Sequence, residues 1–179
     1  NRAIKMSADS FIAFDSPNYP HLAEAGIDIK YRESVLMKKS EKPCVLKELD
    51  EEPVGVLKIF PGIHIELFEH IITKKLRGVV LETFGAGNVP NYCAALTQII
   101  QKAYENGTIV VVCSQCPTGT VSLGTYAASS CLKRAGAVSG KNMTTEAAVA
   151  KLYYLFSCGY SKNKIKELME VNLCGELDE

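Results

Sequence analysis

Two short segments of the chain combine glycines with polar side chains, a pattern that suits contact with a small ligand. The first is ETFGAGNVP at residues 82–90, and the second is SQCPTG at residues 114–119. Gly85 and Gly87 would let the backbone approach a ligand closely, and Asn88 offers both a donor and an acceptor to an amide or a carboxylate. The alternative is a tight strand-to-helix turn that Asn88 caps. Because GAGNVP lacks the third glycine of a dinucleotide fingerprint, NAD binding is not expected.

The remaining reactive residue types form no recognised catalytic or metal-binding arrangement. Cys113 and Cys116 make a C-x-x-C, but no second cysteine pair or histidine group has zinc spacing, so structural cysteines are predicted, with a redox pair as the alternative. The histidines are scattered, and no Ser-His-Asp, Cys-His or paired-carboxylate pattern stands out. We therefore expect neither a metal nor a cofactor.

The elements that must position these segments alternate between short β-rich runs and longer amphipathic stretches. Strands are predicted at residues 54–60, 77–84, 108–114 and 137–140, and helices at residues 63–75, 91–106, 127–135, 146–157 and 161–171. Ser161 is predicted to cap the last helix, and Thr144 and Thr145 precede the one before it. This alternation predicts an α/β fold with a small parallel sheet flanked by helices. Both candidate segments would then lie at the carboxyl ends of strands, where such sheets bind ligands.

The first fifty residues differ from the rest because they contain few long apolar runs. The SPNYP sequence at residues 16–20 predicts extended or turn backbone around two prolines, and residues 43–60 are predicted as a β-ribbon leading into the sheet. We expect roughly the first thirty residues to be a segment that crosses from this domain to an upstream portion, since the chain opens NRAIKMSADSF without an initiator Met.

Composition narrows the possible partners. Twenty basic and twenty acidic residues give zero net charge, which provides little attraction to nucleic acid or an anionic membrane. No run approaches the ~20 apolar residues of a membrane span. The seven cysteines form an odd set that suits a reducing compartment better than a disulfide framework, so a cytoplasmic protein is expected.

Several blocks in order resemble the C-terminal domain of cytosolic type I L-asparaginases. They are GVVLETFGAGNVP, QCPTGTVSLGTYAAS, AGAVSGKNMTTEAAVAKLYYLFS and NLCGELDE, and the opening NRAIKMSADSFIAFDSPNYPHLAEAGIDI resembles the stretch that closes the family's N-terminal domain. The resemblance implies that residues 1–34 are the end of the N-terminal catalytic domain with an interdomain segment, and that residues 35–179 are the C-terminal α/β domain. Residues 30–53 carry it least clearly.

The same resemblance implies hydrolysis of asparagine to aspartate and ammonia by a threonine nucleophile, without metal or cofactor. The family's nucleophile lies in an N-terminal TGGT-like motif and its other catalytic groups in a DGTDT-like block and after it; neither motif occurs in this sequence. No catalytic residue is therefore assigned to this chain. Its partners would be asparagine or aspartate, the N-terminal catalytic domain and further copies of itself in a dimer or tetramer.

Family residues carry over at three positions, Asn88, Tyr126 and Cys116, and the chain departs from the family at a fourth, Glu82. Asn88 and Tyr126 match residues that reach a neighbouring subunit's active site, and a tyrosine at the second position resembles the type I branch. Bacterial cytosolic relatives bind a second asparagine allosterically through an arginine, an asparagine and a cysteine. Asn88 and Cys116 match two of these, but Glu82 stands in place of the arginine and would instead receive an ammonium group or pair within an interface.

Two other functions remain as alternatives to an asparaginase part. The chain could be a non-catalytic module for amino-acid binding or oligomerisation, with residues 82–88 as the ligand loop. It could also be part of the amidase subunit of a tRNA-dependent amidotransferase, which shares this architecture, although the balanced charge argues against a tRNA partner.

Overall fold

The beginning of the chain forms two small antiparallel hairpins. In this computed structural model, which describes residues 2–41, 43–90, 93–124 and 127–178, strand β1 (Ile4–Lys5) pairs with β2 (Phe14–Asp15), and β3 (Ala23–Ala25) pairs with β4 (Ile29–Tyr31). A 3-10 turn follows at Glu33–Val35. Residues 43–53, all described, carry no strand, so the predicted β-ribbon is wrong. The physical reason is composition, because this stretch has a proline at each end and a run of Lys, Glu and Asp that neither favours a strand nor offers an apolar face.

A parallel sheet forms the centre of the molecule. Counted over the described residues, its four strands run in the order β5 (Val54–Lys58), β6 (Gly78–Thr83), β7 (Ile109–Ser114) and β8 (Val138–Ser139). The two central strands are buried along nearly their whole length, as expected for a parallel sheet covered on both faces. The predicted α/β fold with a small parallel sheet is confirmed.

One face of the sheet is covered by the segments that connect its strands. A 3-10 turn (Ile65–Phe68) leads into α1 (Glu69–Lys74), and α2 (Cys93–Glu105) and α3 (Ala127–Arg134) follow the next strands. Because crossovers between parallel strands are right-handed, a sheet that adds each strand on the same side places its crossovers on one face. The helix predicted over residues 63–75 begins as a 3-10 turn, in which Ile65 and Phe68, three residues apart, both contact the core.

The opposite face is covered by the last two helices, α4 (Thr145–Ser157) and α5 (Lys162–Met169). The Thr144 hydroxyl accepts a hydrogen bond from the Ala147 N–H at 3.1 Å, and the Ser161 hydroxyl accepts one from the Lys164 N–H at 3.4 Å. The Ser161 cap is thus confirmed, and Thr144 caps the helix before it. Buried side chains of these helices pack on the sheet residues that face them, among them Leu152, Leu155, Ile165, Met169, Val80 and Val111.

The two ends of the described chain meet beside these helices. Arg2, which is 7% exposed, donates from Nε to the Gly175 carbonyl and from Nη2 to Asp178 Oδ1, both at 2.7 Å. Its guanidinium also lies 4.4 Å from the ring centre of Tyr19. The opening segment is therefore fixed to the tail that follows α5.

Candidate functional site

The carboxyl ends of β6 and β7 lie side by side, and the two segments singled out in the sequence, residues 82–90 and 114–119, begin there. Glu82 pairs with Cys113 in the strand register, and Thr83 pairs with Ser114. Gln115 joins the strand ends, because its side-chain Nε2 donates to the Glu82 carbonyl at 3.0 Å and to the Ile59 carbonyl at the end of β5. The Gln115 N–H also donates to the Thr83 carbonyl at 2.9 Å, so the first residues of the second loop are fixed against the end of β6.

Asn88 lies at the end of a closed turn. The backbone groups of Phe84 and Asn88 exchange two hydrogen bonds, at 2.9 Å and 2.8 Å. Gly85 and Gly87 have φ values of 48° and 112°, in the left-handed region that glycine adopts readily. Asn88 therefore pairs through its backbone, while the residue as a whole is exposed at this edge of the sheet.

Glu82 faces the start of α4. The Thr145 hydroxyl donates to Glu82 Oε1 at 2.7 Å, and Thr145 is the first residue of that helix. The carboxylate is half-buried, so part of its surface still meets solvent. Glu82 is thus held by a neutral donor, and its negative charge remains available to a cationic group.

The two cysteines of the C-x-x-C lie in opposite environments. Cys113 is buried, and burial, together with Glu82 and Glu146, raises the pKa of its thiol to about 12. Cys116 is exposed, and its backbone N–H donates to the Ser114 hydroxyl at 3.0 Å. Both thiols are free. A thiol that stays protonated at neutral pH is a poor nucleophile, so Cys113 fits the structural interpretation rather than the redox alternative.

The other cysteines differ in whether they form a disulfide. Cys44, Cys158 and Cys174 form no disulfide, whereas Cys131 is disulfide-bonded and departs from the expectation of reduced cysteines. Within the described ranges, no group of three or more His, Cys, Asp or Glu side chains is placed to hold a metal ion. None of the helices in that part of the chain has the length and apolar character needed to cross a membrane.

Asn18 makes contacts with the second loop that the sequence analysis did not predict. Its Oδ1 accepts from the Gly119 N–H at 2.8 Å, and its Nδ2 lies 3.2 Å from the Gly119 carbonyl and 3.3 Å from that of Asn142. The opening segment therefore holds the loop that contains Cys116. The signal that could have found Asn18 is its position between Pro17 and Pro20, which fix the backbone around it.

The structure thus brings Glu82, Asn88 and Cys116 to the side of the sheet where β6 and β7 have their carboxyl ends. Tyr126 lies outside the described residues. The contacts by which Thr145 holds Glu82 and Gln115 holds the second loop were missed. Their partners lie 63 residues away for Thr145 and 33 and 56 residues away for Gln115.

Comparison with known protein families decides the relationship. Residues 53–169 match the model of the Glutaminase/Asparaginase C-terminal domain. The chain belongs to this family. The match begins just before β5 and ends at the last residue of α5, so it spans the sheet and the helices on both faces.

Similarity to individual members of this family extends beyond those limits. The chain is 37% identical to L-asparaginase 1 of Escherichia coli (strain K12), over 99% of this chain and 52% of that protein. It is 41% identical to a mouse 60 kDa lysophospholipase, over 99% of this chain and 31% of that protein. A crystal structure of L-asparaginase I from Vibrio cholerae superposes with a TM-score of 0.92 at 39% identity, and the match covers 100% of this chain and 54% of that one. The chain therefore spans about half the length of the bacterial asparaginases it matches.

Proposed function

We propose that this chain is the C-terminal, substrate-completing and dimer-forming part of an L-asparaginase. The observation that carries the proposal is the match to two bacterial L-asparaginases across 99% and 100% of the chain, including the opening segment that lies outside the family model. In the proposed reaction a threonine of an N-terminal domain attacks the side-chain amide carbon of asparagine. The C–N bond breaks, ammonia leaves, and water hydrolyses the resulting ester to release aspartate.

The chain's own contribution is to complete the pocket of a neighbouring subunit. Asn88 supports this role because it is exposed on a turn whose backbone is closed by two hydrogen bonds. Its amide is suited to hydrogen-bond a substrate carboxylate or amide, while Tyr126 would supply a hydroxyl or cover the substrate. This arrangement requires a homo-oligomer, a dimer or tetramer. It also fits a boundary near residue 34 between the catalytic domain and the C-terminal domain.

Glu82, Asn88 and Cys116 form the proposed effector edge. Glu82 has a hydrogen bond from Thr145 and no cationic partner among the described residues. An effector amino acid would therefore present its ammonium group to Glu82 and its carboxylate to other donors, which reverses the polarity expected when an arginine occupies this position. The proposed protein acts in the cytoplasm, with no cofactor, no metal, no nucleic acid and no membrane as partner.

The test measures ammonia release from L-asparagine by this chain alone and by the chain joined to an N-terminal domain that contains the threonine motifs. Activity is expected only in the joined protein. There, Asn88→Ala should reduce turnover by about tenfold, corresponding to one lost hydrogen bond to a charged group. Tyr126→Phe should reduce turnover modestly and leave the fold intact. Asn163→Ala, an exposed position on α5, is the matched control.

Three outcomes would contradict the proposal. Ammonia release by this chain alone would place the nucleophile within it, and unchanged kinetics in both variants would remove Asn88 and Tyr126 from the site. Silence of both proteins, combined with saturable heat when asparagine is titrated into the chain, would instead favour the amino-acid-binding module. Fatty-acid release from a lysophospholipid should be measured in parallel, because it is the activity in the name of the mouse relative.

A further inference from the structure

An open cavity of about 650 Å³ lies along β8, at one edge of the sheet. Its walls come from β8, from the loop after β7 and from α5, and they include Ser139, Lys141 and Lys166. The cavity is large enough for a small molecule, and charged and polar residues make up much of its lining.

The charges around this cavity are unevenly compensated. Three carboxylates line it, and each has a donor: Lys164 Nζ lies 2.7 Å from Glu167, the Ser139 N–H donates to Glu170 at 3.0 Å, and Arg2 lies 2.7 Å from Asp178. The lysines that line the cavity differ from these carboxylates in their partners. Over the described ranges, Lys133 and Lys141 make no ion pair, and the Lys166 ammonium lies 4.3 Å from the ring centre of Tyr104.

The lining itself holds three lysines and three carboxylates. Two of the carboxylates, Glu167 and Asp178, are ion-paired with residues outside the lining, whereas the three lysines and Glu170 make no ion pair among the described residues. The charge that remains unpaired at the cavity is therefore positive, and it would concentrate anions there.

Lys141 adopts a backbone conformation that a lysine rarely adopts. Its φ of 50° lies in the left-handed region, and it is the one residue other than glycine in the described part of the chain with a positive φ. Its neighbours Gly140 and Asn142 are residue types that would adopt this conformation at lower cost. The strain persists because the Lys141 N–H donates to the Ser139 hydroxyl and its carbonyl accepts from the Val121 N–H, both at 2.9 Å. Strain of this kind is concentrated at functional sites.

The wall beside Lys141 is rigid. Asn142 is 5% exposed, and it exchanges two hydrogen bonds with Asp178, at 2.6 Å and 2.9 Å. Arg2 holds the same carboxylate from the other side, and its buried Nη1 has no hydrogen-bond partner in the described part of the chain. Because this network fixes the wall before any ligand arrives, binding would require little ordering of the protein.

We propose that this cavity binds a small anion, a phosphate group or a carboxylate, through the ammonium groups of Lys133 and Lys141. Anion binding by the Lys141 side chain would explain why a lysine occupies this strained backbone position. Phosphate and carboxylate share the chemistry that lysine recognises, and the experiment distinguishes them.

The test titrates inorganic phosphate, and separately succinate, into the chain at low ionic strength, followed by calorimetry and by amide chemical shifts. Saturable binding of at least one anion is expected, with the largest shifts at Ser139, Lys141 and Asn142. Lys141→Gln and Lys133→Gln should each weaken the affinity by about tenfold, as expected for one charge-assisted contact. Lys58→Gln, which makes the same charge change on β5 at the opposite edge, should leave the affinity within twofold.

Lys141→Gly separates binding from folding. Glycine relieves the left-handed backbone, so this variant should keep or raise the melting temperature while its affinity for the anion falls as much as in Lys141→Gln. The proposal is overturned if neither anion shows saturable binding, if Lys58→Gln weakens binding as much as Lys141→Gln, or if Lys141→Gly binds with wild-type affinity. Binding of phosphate alone, or of succinate alone, identifies which of the two groups the cavity accepts.

Discussion

Lys151 and Glu176 form an ion pair in which each side chain is 4% exposed. The Lys151 ammonium donates to Glu176 Oε1 at 2.5 Å and to the carbonyls of Val171 and Met169. Burial alone would raise the pKa of Glu176, but Lys151 and the backbone N–H groups that donate to the carboxylate hold it at about 2. Burial lowers the pKa of Lys151 despite this partner. The pair therefore stabilises the carboxylate and imposes a desolvation cost on the lysine, as is common for buried ion pairs.

Glu176→Gln is expected to lower the free energy of unfolding by about 3 kcal/mol, because it leaves the Lys151 charge buried without a carboxylate. Chemical denaturation at neutral pH measures the loss. Glu69→Gln breaks an exposed pair with Lys102 and should cost less than about 1 kcal/mol. Combining Lys151→Met with Glu176→Leu should restore much of the stability, since no charge is then buried. Equal losses in the Glu176 and Glu69 variants would contradict the assignment.

The same carboxylate predicts a dependence of stability on pH. The pKa of Glu176 falls from 4.5 to about 2 on folding, so its ionised form favours the folded state. Its contribution is complete above pH 4.5 and is lost as the pH falls toward 2. Unfolding curves across this window should show a smaller acid dependence in Glu176→Gln than in the wild type. An unchanged dependence would mean that other carboxylates dominate acid unfolding.

Cys113 and Cys116 should differ in their reaction with iodoacetamide. At about pH 8 the exposed Cys116 is expected to be alkylated in the folded protein, whereas Cys113, buried and with its pKa raised to about 12, should react only after unfolding. Mass spectrometry of peptides from folded and unfolded samples distinguishes the two sites. Rapid modification of Cys113 in the folded protein would show that the carboxyl end of β7 opens.

At the scale of elements, the loop after β7 depends on Asn18. Asn18→Ala removes the hydrogen bonds that the side chain makes with Gly119 and Asn142, so it should cost about 1–2 kcal/mol. Amide exchange at Gly119 should accelerate while exchange in the buried strand β7 stays slow. Asn163→Ala is the control for loss of an exposed amide. Uniform acceleration across the sheet would indicate a general loss of stability instead.

The sheet and the capped helices could be predicted because their signals are local. The first four residues of Ile109–Ser114 are β-branched and apolar, and Ser161 stands immediately before the apolar repeat of α5. The β-ribbon before β5 was wrong, and the hairpins β1–β2 and β3–β4 were not predicted, because strands of two or three residues are too short for a period to emerge.

The candidate site could be predicted only in part, for a related reason. The glycines and Asn88 lie within a few residues of one another, so their turn leaves a pattern in the sequence. The contacts that hold the site cross between elements, such as Thr145 with Glu82 and Asn18 with Gly119. Such pairs depend on the packing of helices and loops against the sheet. Spacing along the chain therefore contains no signal for them.

At the scale of the whole molecule, the opening segment exposes large apolar side chains. Phe11 and Ile27, at the tips of the two hairpins, are fully exposed, and Phe14, Ile29 and Tyr31 are more than half exposed. Large apolar side chains exposed together on one segment are typical of a surface that contacts another protein. The opening segment is thus the part of the chain best suited to an interface with a catalytic domain or a second copy.

The chain by itself is therefore expected to self-associate. Sedimentation velocity should show dimers or larger species whose fraction rises with concentration. Replacing Phe11 and Ile27 together by Ser should reduce that fraction, because two fully exposed apolar side chains are removed. Leu67→Ser, an exposed apolar position on the 3-10 turn, should have little effect. A monodisperse monomer at high concentration would contradict this prediction.

The placement of all three crossovers on one face of the sheet has a consequence for protein synthesis. Translation proceeds from the N-terminus, so the strands and the crossover helices emerge before residues 145–169, which supply the cover for the other face. During that interval the buried row that includes Val80, Val111 and Cys113 faces solvent. A ribosome paused after β8 would therefore display a half-covered sheet, which is the kind of apolar surface that chaperones bind and that aggregates when it is left unprotected.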